Sequence, residues 1–291
     1  MKIAIYHNLP SGGGKRALYE MARRLAQRHT LDVYTLSSAD HAYCDLRPLA
    51  RQHVVYPFAP LPLARPPFGR LNQGIRAVDL WRLRRLQRRI ASDIDAAGYD
   101  LVFVHPCRFG TSPSLLRYLT TPSVYYLQEP PRRFCEPAIV RPYNAVTPLD
   151  RAVNRIDPLP GLYRRVLLRE DRVSARRATR LLVNSCYSRE SVYRTYGADA
   201  TVCYLGVDTD QFRPLPVGKG DYVLSVGMVN PVKGFDFLLR SLALIPPVER
   251  PPLVICGNAA DPRERDYTER LAAELGVLLE VRTMVSDDEL V

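Results

Sequence analysis

The chain alternates between short apolar runs and longer segments whose apolar residues recur every three or four positions. Short runs bounded by glycine, proline or polar residues are typical of strands buried on both faces of a parallel sheet. The longer segments are typical of helices that cover such a sheet. The alternation therefore predicts an α/β fold with two consecutive doubly wound domains. The predicted strands are Lys2–His7, Leu31–Leu36, Val54–Phe58, Tyr99–His105, Ser123–Leu127, Arg180–Asn184, Thr201–Tyr204, Tyr222–Val226, Leu253–Cys256 and Leu278–Thr283.

The longest predicted helix, at about residues 71–97, has an apolar stripe and a basic stripe. The apolar stripe predicts core packing and consists of Leu83, Leu86, Ile90 and Ile94. The basic stripe consists of Arg82, Arg85 and Arg89. Such a stripe is more often a solvated helix face than a site. A sharper hypothesis is docking on anionic lipid, at about 1 kcal/mol per basic residue near the surface. Further helices are predicted at about residues 15–28, 162–177, 185–196, 236–244 and 263–275.

A stretch rich in proline and glycine, residues 213–220, separates two parts of opposite charge. The first 220 residues carry 34 Lys and Arg against 18 Asp and Glu, whereas residues 221–291 carry 7 against 12. We therefore predict an N-terminal domain over 1–212, a linker over 213–220 and a C-terminal domain over 221–291. The basic part suggests an anionic membrane, nucleic acid or phosphorylated substrate. Three strands and two helices would leave a bare sheet edge, so we expect the second domain to be incomplete.

Other features bear on the surroundings of the protein. The six cysteines have no CxxC spacing, which argues against zinc and for reduced, mostly buried thiols in the cytoplasm. No apolar run approaches the roughly 20 residues of a membrane span. Because a strand is predicted from Lys2 onwards, we expect no signal peptide. Residues 134–160 contain many prolines and little periodicity, which predicts a loop or lid.

The stretch Tyr222–Leu239 has the order strand, turn and helix, with Lys233 and Gly234 in the turn. A helix N-terminus presents unpaired N–H groups and the positive end of the helix dipole, which favour an anion. Lys233 adds a cation, and two charges about 4 Å apart attract by roughly 4 kcal/mol at an effective dielectric near 20. The turn is therefore a candidate phosphate site, and the alternative is a solvated lysine in an ordinary loop.

A second candidate site combines a glycine turn with the ends of strands. The turn joins the first strand to the first helix and consists of Gly12, Gly13 and Gly14. It lets a ligand approach the backbone closely, although it matches neither the dinucleotide fingerprint nor a P-loop and is alternatively a flexible turn. Ligands of parallel sheets lie beyond the carboxyl ends of strands. Polar residues after two predicted strands are therefore candidates, namely His105, Gln128, Glu129 and Arg132. The alternatives are a hydrogen-bonded surface histidine and an ion pair between Glu129 and Arg132.

Five stretches resemble family 4 of the GT-B glycosyltransferases, in that family's order and over most of the chain. They are SGGGKRALYEMARRLAQRH, LLVNSCYSRE, YLGVDTDQFRP, YVLSVGMVNPVKGFDFLLRSL and LVICGN. The segment VYYLQEPPRRF is similar to a branch in which this strand ends in histidine followed by EPPR. The resemblance implies two Rossmann-like domains, the first for an acceptor and the second for a nucleotide-diphosphate sugar. It also implies transfer with retention of anomeric configuration, without a metal or other cofactor.

The resemblance also implies roles for the candidate residues. The Lys233 turn matches the family lysine that binds the donor diphosphate, and the triple glycine matches a loop near the donor phosphates or the reacting sugar. Glu129 and Arg132 match the acceptor-side loop, with Gln128 and Glu129 as candidate catalytic residues and His105 on the acceptor side. The implied activity is hexosyl transfer to a glycan or lipid-linked acceptor in cell-envelope polysaccharide or glycolipid synthesis. The implied location is cytoplasmic, peripheral on the inner membrane face.

The chain departs from the family pattern at three points. Met228 stands where many members have an arginine, and Gln128 stands where the family often has a histidine. The acidic pair that holds the donor sugar is not found in this sequence, so we expect the 291-residue chain alone to be inactive.

One alternative function is a GT-B-like epimerase or phosphorylase, which would need further acid/base or cofactor residues. Another is a non-catalytic basic protein that binds a membrane or nucleic acid. Nucleic acid is disfavoured because the arginines follow helices and the tyrosines lie in apolar strands.

Overall fold

The computed structural model describes residues 1–65, 68–129, 132–144, 157–214, 216, 218, 220–257, 259–286 and 289. The chain divides into two compact units. The first comprises Met1–Pro137 and Leu149–Leu205, and the second comprises Ala138–Pro148 and Gly206–Val291. Of the predicted linker, residues 215, 217 and 219 lie outside the described residues, as do residues 145–156 of the predicted loop or lid.

Seven parallel strands form the sheet of the first unit, in the order β3-β2-β1-β4-β5-β6-β7. They are β1 (Lys2–Asn8), β2 (Thr30–Leu36), β3 (Gln52–Tyr56), β4 (Leu101–Cys107), β5 (Ser123–Leu127), β6 (Arg180–Val183) and β7 (Thr201–Val202). The strand order reverses at β1, which lies between β2 and β4. In doubly wound sheets the ligand crevice lies at such a reversal, outside the carboxyl ends of the strands. The predicted α/β fold class is confirmed.

Helices α1 to α5 belong to the first unit. They are α1 (Gly13–Leu25), α2 (Asn72–Ala96), α3 (Arg132–Cys135), α4 (Leu159–Ala175) and α5 (Cys186–Tyr196). On α2 the apolar stripe packs on the sheet as its spacing predicts, with Leu83, Ile90 and Ile94 buried and Leu86 half-buried.

The basic stripe of α2 lies on the outer side of the helix. Arg82 and Arg89 pair with carboxylates of their own helix, at 2.7 Å and 3.9 Å. The guanidinium of Arg85 lies 4.8 Å from the ring centroid of Trp81, and Trp81 is 56% exposed. Arg85 and Arg89 are therefore solvated beside a large exposed aromatic side chain, whereas Arg82 is half-buried and also donates to the carbonyl of Ala59 at 3.2 Å.

The strand reversal beside β1 coincides with an irregular ladder. The register between β1 and β4 shifts between Tyr6 and Asn8. In β4 this position includes Pro106, which has no N–H to donate to a ladder. Gly12 then precedes α1 with φ of 136°, a value that favours glycine. The backbone is thus least regular where the crevice of the sheet is expected.

The second unit contains a parallel sheet of the order β10-β9-β8. Its elements are β8 (Val223–Val226), β9 (Leu253–Gly257), β10 (Leu279–Thr283), α6 (Phe235–Leu242) and α7 (Pro262–Glu274). The prediction that Tyr222–Val226 is buried on both faces is wrong, since Leu224 and Val226 are 47% and 56% exposed. The reason is that β8 is an edge strand, which pairs with β9 alone among the described residues.

Two further observations concern the described parts of both units. None of the described helices combines the length and apolar character of a membrane span. The expectation of mostly buried thiols is wrong, because Cys135, Cys186 and Cys203 are exposed while Cys107 and Cys256 are buried. The exposed cysteines lie at the end of α3, at the start of α5 and directly after β7, outside the middle of these elements.

Candidate functional site

Buried polar side chains gather at the carboxyl ends of β1, β4 and β5, beside the start of α1. They are His7, Lys15, His105 and Gln128, and each is at most 5% exposed. The location is the strand reversal where ligands of doubly wound sheets bind. His105 and Gln128 were candidates from the sequence, whereas His7 and Lys15 were missed.

Gln128 and His105 form a hydrogen-bonded pair. The side-chain amide Nε2 of Gln128 donates to Nδ1 of His105 at 2.8 Å, so the ring proton lies on Nε2 of His105. Burial, and then the charge of Lys15, lowers the pKa of His105 to about 3, so the ring is neutral at pH 7. Its Nε2 is buried and has no hydrogen-bond partner among the described residues. The site therefore holds an oriented N–H donor without an acceptor.

The triple glycine touches these strand ends at one position. A Cβ on Gly14 would lie 2.5 Å from Oε1 of Gln128, so a side chain there would force the amide of Gln128 to move. A Cβ on Gly12 or Gly13 would meet no described atom within 4 Å, once chain neighbours are set aside. Gly14 thus leaves room for the observed position of the Gln128 amide, whereas Gly12 is favoured by its own backbone angle.

Lys15 lies in the first turn of α1, and its Nζ is 3.4 Å from Nε2 of His7. Within the described part of the chain it forms no ion pair with a carboxylate. Burial lowers the pKa of Lys15 to about 8, and nearby thiol and carboxyl groups only partly oppose the shift. Burial, and then the charge of Lys15, lowers the pKa of His7. A buried positive charge held by a neutral imidazole suits an anionic ligand group.

A helical spacing in the sequence could have identified Lys15. Lys15 shares the buried face of α1 with Leu18 and Ala22, at spacings of three and four. The spacing from Leu18 is the signal that places the lysine on the inner face.

Asn184, another residue that was not a candidate, fixes the end of β5. Its side-chain amide donates to the main-chain carbonyl of Gln128. Asn184 directly precedes Ser185, which caps α5 by accepting a hydrogen bond from the N–H of Ser188 at 3.1 Å. The start of α5 therefore supports the strand end that carries Gln128.

Glu129 and Arg132, the candidates for the acceptor side, are both exposed. Within the described residues, Arg132 does not form the alternative ion pair with Glu129. Its Nη1 instead lies 3.0 Å from Oε1 of Glu136, which is four residues further on and directly follows α3. This spacing brings the two side chains to the same helix face. Glu129 is left as an exposed carboxyl group next to Gln128.

In the second unit, Lys233 lies at the start of α6, as the sequence predicts. It ends a 3-10 turn over Pro231–Lys233, and Gly234 follows with φ of 67°, where a glycine is favoured. The stem of Lys233 crosses the end of β8, with its Cε 3.4 Å from the position of a Cβ on Gly227. The side chain is exposed and pairs with no carboxylate among the described residues. The turn thus offers an uncompensated cation beside a helix N-terminus.

A buried arginine lies behind this turn and was also missed. Arg141 is 6% exposed and pairs with Asp236 of α6 at 2.8 Å and with Glu264 of α7 at 3.1 Å. The residue lies in the proline-rich stretch that predicted a loop or lid. No periodicity surrounds it, so no sequence signal indicates that it is buried.

The described residues offer ligands mainly positive or N–H groups. No group of three or more His, Cys, Asp or Glu side chains within the described ranges is close enough to hold a metal ion. The donors in the first unit are the ammonium of Lys15 and Nε2 of His105, and in the second unit the ammonium of Lys233. The chemistry of these groups matches an oxygen-rich, anionic ligand.

Comparison with known proteins identifies the family. Residues 11–211 match the model of Glycosyltransferase Family 4, so this chain belongs to that family. The matched range includes the triple glycine and the ends of β4, β5 and β6. Of the polar cluster at the strand reversal, Lys15, His105 and Gln128 lie within the matched range.

Individual relatives support the same class. A D-inositol 3-phosphate glycosyltransferase from Mycobacterium leprae is 32% identical over 120 residues, covering 36% of this chain and 27% of the relative. The match thus spans about a quarter of that relative's length. Sucrose-phosphate synthase from Thermosynechococcus elongatus superimposes with a TM-score of 0.64 at 15% identity, covering 99% of this chain and 72% of that one. WaaG, a glycosyltransferase involved in lipopolysaccharide biosynthesis, superimposes with a TM-score of 0.56 at 16% identity, covering 99% and 72%. These similarities show the shared GT-B fold.

Proposed function

We propose that the protein transfers a hexose from a nucleotide-diphosphate sugar to a glycan or lipid-linked acceptor, with retention of anomeric configuration. The observation that carries this proposal is the exposed Lys233 at the N-terminus of α6. A sugar nucleotide loses a dianionic leaving group when the bond between the sugar and the phosphate breaks. A cation and aligned N–H groups at that point stabilise the charge that develops in the transition state. They do so without a metal ion, which we propose is not required.

The cluster of the first unit supplies groups for the sugar and the acceptor. Because Gln128 donates to His105, its amide orients the imidazole and cannot act as a base. The free Nε2–H of His105 would donate to a sugar hydroxyl or to another substrate oxygen. Glu129, exposed directly after Gln128, is the carboxyl group available on the acceptor side. Gln128 and His105 are thus assigned to substrate orientation, and Glu129 to the acceptor hydroxyl.

Lys15 favours a substrate that carries negative charge at the strand reversal. Lys15 directly follows the triple glycine in sequence, and its buried ammonium forms no ion pair with a carboxylate in the described residues. A phosphate of the donor or of a lipid-linked acceptor would supply the missing charge. The curated relative is described as acting on D-inositol 3-phosphate, which is also an anionic compound. We therefore propose a phosphorylated group near Lys15.

The location of the acceptor determines where the enzyme acts. A lipid-linked acceptor implies a peripheral enzyme on the inner face of the membrane, with cell-envelope synthesis as its role. WaaG, which shares the fold, is involved in lipopolysaccharide biosynthesis. The exposed Trp81 and the arginines of α2 are the surface that we propose for contact with anionic lipid.

A transfer assay tests the proposed function. The full-length protein is incubated with UDP- and GDP-linked hexoses and a lipid extract, and nucleoside diphosphate release is measured with and without the extract. The anomeric configuration of the product is then read by NMR. We expect extract-dependent release and a product with the donor's configuration. Inversion would contradict the retaining mechanism, and no release from any donor would contradict the transferase.

A further inference from the structure

The N-termini of α6 and α7 are tied together by a single buried side chain. Arg141 donates from Nη1 and Nη2 to both carboxylate oxygens of Asp236, at 2.8 and 2.9 Å. Its Nε lies 3.2 Å from each carboxylate oxygen of Glu264. Asp236 is in the first turn of α6 and Glu264 is in the first turn of α7. The guanidinium therefore sets the separation of the two helix starts.

The same guanidinium holds the turn that carries Lys233. Nη2 of Arg141 donates to the main-chain carbonyl of Pro231 at 3.3 Å. Pro231 precedes Lys233 by two residues and Asp236 follows it by three, so Arg141 binds the turn on both sides of the lysine. We infer that Arg141 is a positioning residue of the donor site, which fixes the Lys233 turn for binding of a nucleoside diphosphate. This inference rests on the proposed function.

The contacts of Arg141 among the described residues are those of a residue that acts through the turn. Each of its nitrogen atoms is hydrogen-bonded to Asp236, Glu264 or Pro231, and the residue is only 6% exposed, so little of the guanidinium is accessible to a phosphate. Glu264 is fully buried, and the hydroxyl of Tyr143 also donates to it. The guanidinium carbon of Arg141 lies 5.2 Å from the ring centroid of Tyr267. Such a closed network holds one geometry.

Charge gives Arg141 a second effect on the same site. Two carboxylates in the first turns of α6 and α7 would repel a diphosphate near the helix starts. The guanidinium neutralises one of these two negative charges and hydrogen-bonds both carboxylates. The carboxylates therefore weaken the attraction between Lys233 and a diphosphate less than they would alone. Arg141 and Tyr143, although they follow α3 of the first unit in sequence, belong to the second unit and support its donor site.

Arg250 provides a matched control on the same two helices. Its guanidinium donates to the carbonyls of Ala243 after α6 and of Leu275 and Gly276 after α7. Arg250 thus joins the C-terminal ends of the helices whose N-terminal ends Arg141 joins. A change at Arg250 should disturb packing of this helix pair without moving the Lys233 turn.

The test compares Arg141→Lys, the double variant Arg141→Met with Glu264→Gln, Arg250→Lys and Lys233→Met in the full-length protein. The double variant avoids leaving a buried carboxylate unpaired, so that it folds. Affinities for UDP, GDP and pyrophosphate are measured by calorimetry at a temperature where every variant is folded. Hydrogen exchange of the amides of residues 234–236 is measured in parallel.

We expect both Arg141 variants to bind the nucleoside diphosphate about tenfold more weakly, with faster amide exchange in the turn. Arg250→Lys should keep the wild-type affinity even if it unfolds at a lower temperature. Affinities of the Arg141 variants within twofold of wild type, while Lys233→Met binds weakly, would overturn this inference and leave the proposed function intact. Equal weakening by Arg250→Lys would also overturn it. Unchanged binding by Lys233→Met, or no binding to wild type, would overturn the proposed donor site itself.

Discussion

The side-chain amide of Gln128 donates to Nδ1 of His105 at 2.8 Å and leaves the ring proton on Nε2. His105 lies in β4, and Gln128 directly follows β5, the adjacent parallel strand, although 23 positions separate the two residues in sequence. A glutamine cannot accept a proton at neutral pH, and in this pair its amide instead orients a neutral imidazole. The geometry depends on the absence of a side chain at Gly14, which leads to the first prediction.

Gly14→Ala should break the pair between Gln128 and His105. The added Cβ would lie 2.5 Å from Oε1 of Gln128, so the amide must rotate away. We expect the ¹⁵N resonances of the His105 ring to shift and sugar transfer to fall by about tenfold, since one oriented hydrogen bond is lost.

Gly13→Ala is the control for this change. Its Cβ would have no described atom within 4 Å beyond its chain neighbours, and alanine is the better helix former. The His105 resonances should stay unchanged in Gly13→Ala. If both variants leave the ring resonances at their wild-type positions, the contact between Gly14 and Gln128 does not hold the pair.

Lys15→Met should stabilise the protein at neutral pH. Burial lowers the pKa of Lys15 from its usual 10.5 to about 8, so at pH 7 the folded state holds an unfavourable buried charge. Between these two pH values the unfolded state binds more protons, and the stability of the wild type rises with pH. We expect the variant to be more stable at pH 7 by up to about 3 kcal/mol, with the difference shrinking from pH 8 to 10.5.

Urea unfolding at pH 7 and at pH 10 measures this effect, with the exposed Lys233→Met as the control for loss of a lysine. The control should change stability little and equally at both pH values. If Lys15→Met and wild type have the same stability, or differ by the same amount at both pH values, the ammonium is solvated.

Acid should destabilise the protein through His105. Burial and the nearby Lys15 lower its pKa to about 3, whereas an unfolded histidine titrates near 6.5. Below pH 6.5 the unfolded state therefore binds the proton, and stability falls by up to about 1.4 kcal/mol per pH unit until the folded pKa is reached. We expect His105→Gln to have a shallower dependence of unfolding free energy on pH between 4 and 6.5. Identical slopes for both proteins would contradict a buried neutral ring.

Trp81 reports on the proposed membrane surface. It is the single tryptophan of the chain, is 56% exposed and stacks with Arg85. We expect its fluorescence to shift to shorter wavelength when vesicles containing anionic lipid are added, because the ring enters the interface. Neutral vesicles and 1 M salt are the controls, and both should suppress the shift. A spectrum indifferent to anionic lipid would remove the support for membrane contact through α2.

Much of the architecture follows from local patterns. Short apolar runs such as Ser123–Leu127 are recovered with their exact bounds, because a buried parallel strand is apolar at every position. Polar residues after such runs, including His105 and Gln128, lie together because parallel strands end at one edge of a sheet. The start of α6 beside Lys233 is also recovered, since glycine and the following apolar spacing mark a helix start.

Three features depend on tertiary context and have no local signal. Tyr222–Val226 has the composition of a central strand, but its neighbours in space decide that it is an edge. Lys15 is buried because the end of β1 covers it, although the residue type and Arg16 beside it favour solvent. Arg141 is buried by two helix starts that follow it in sequence by more than 90 residues. Periodicity over a short window cannot report such long-range contacts.

The binding of a nucleoside diphosphate to Lys233 is the central claim, and calorimetry on the full-length protein tests it most directly. Titrations with UDP and GDP compare wild type, Lys233→Met and Arg240→Met, which removes an equal charge from the last turn of the same helix. We predict that Lys233→Met weakens binding of the preferred nucleotide by about tenfold or more, whereas Arg240→Met stays near wild type. Equal affinities of the wild type and Lys233→Met would contradict the account.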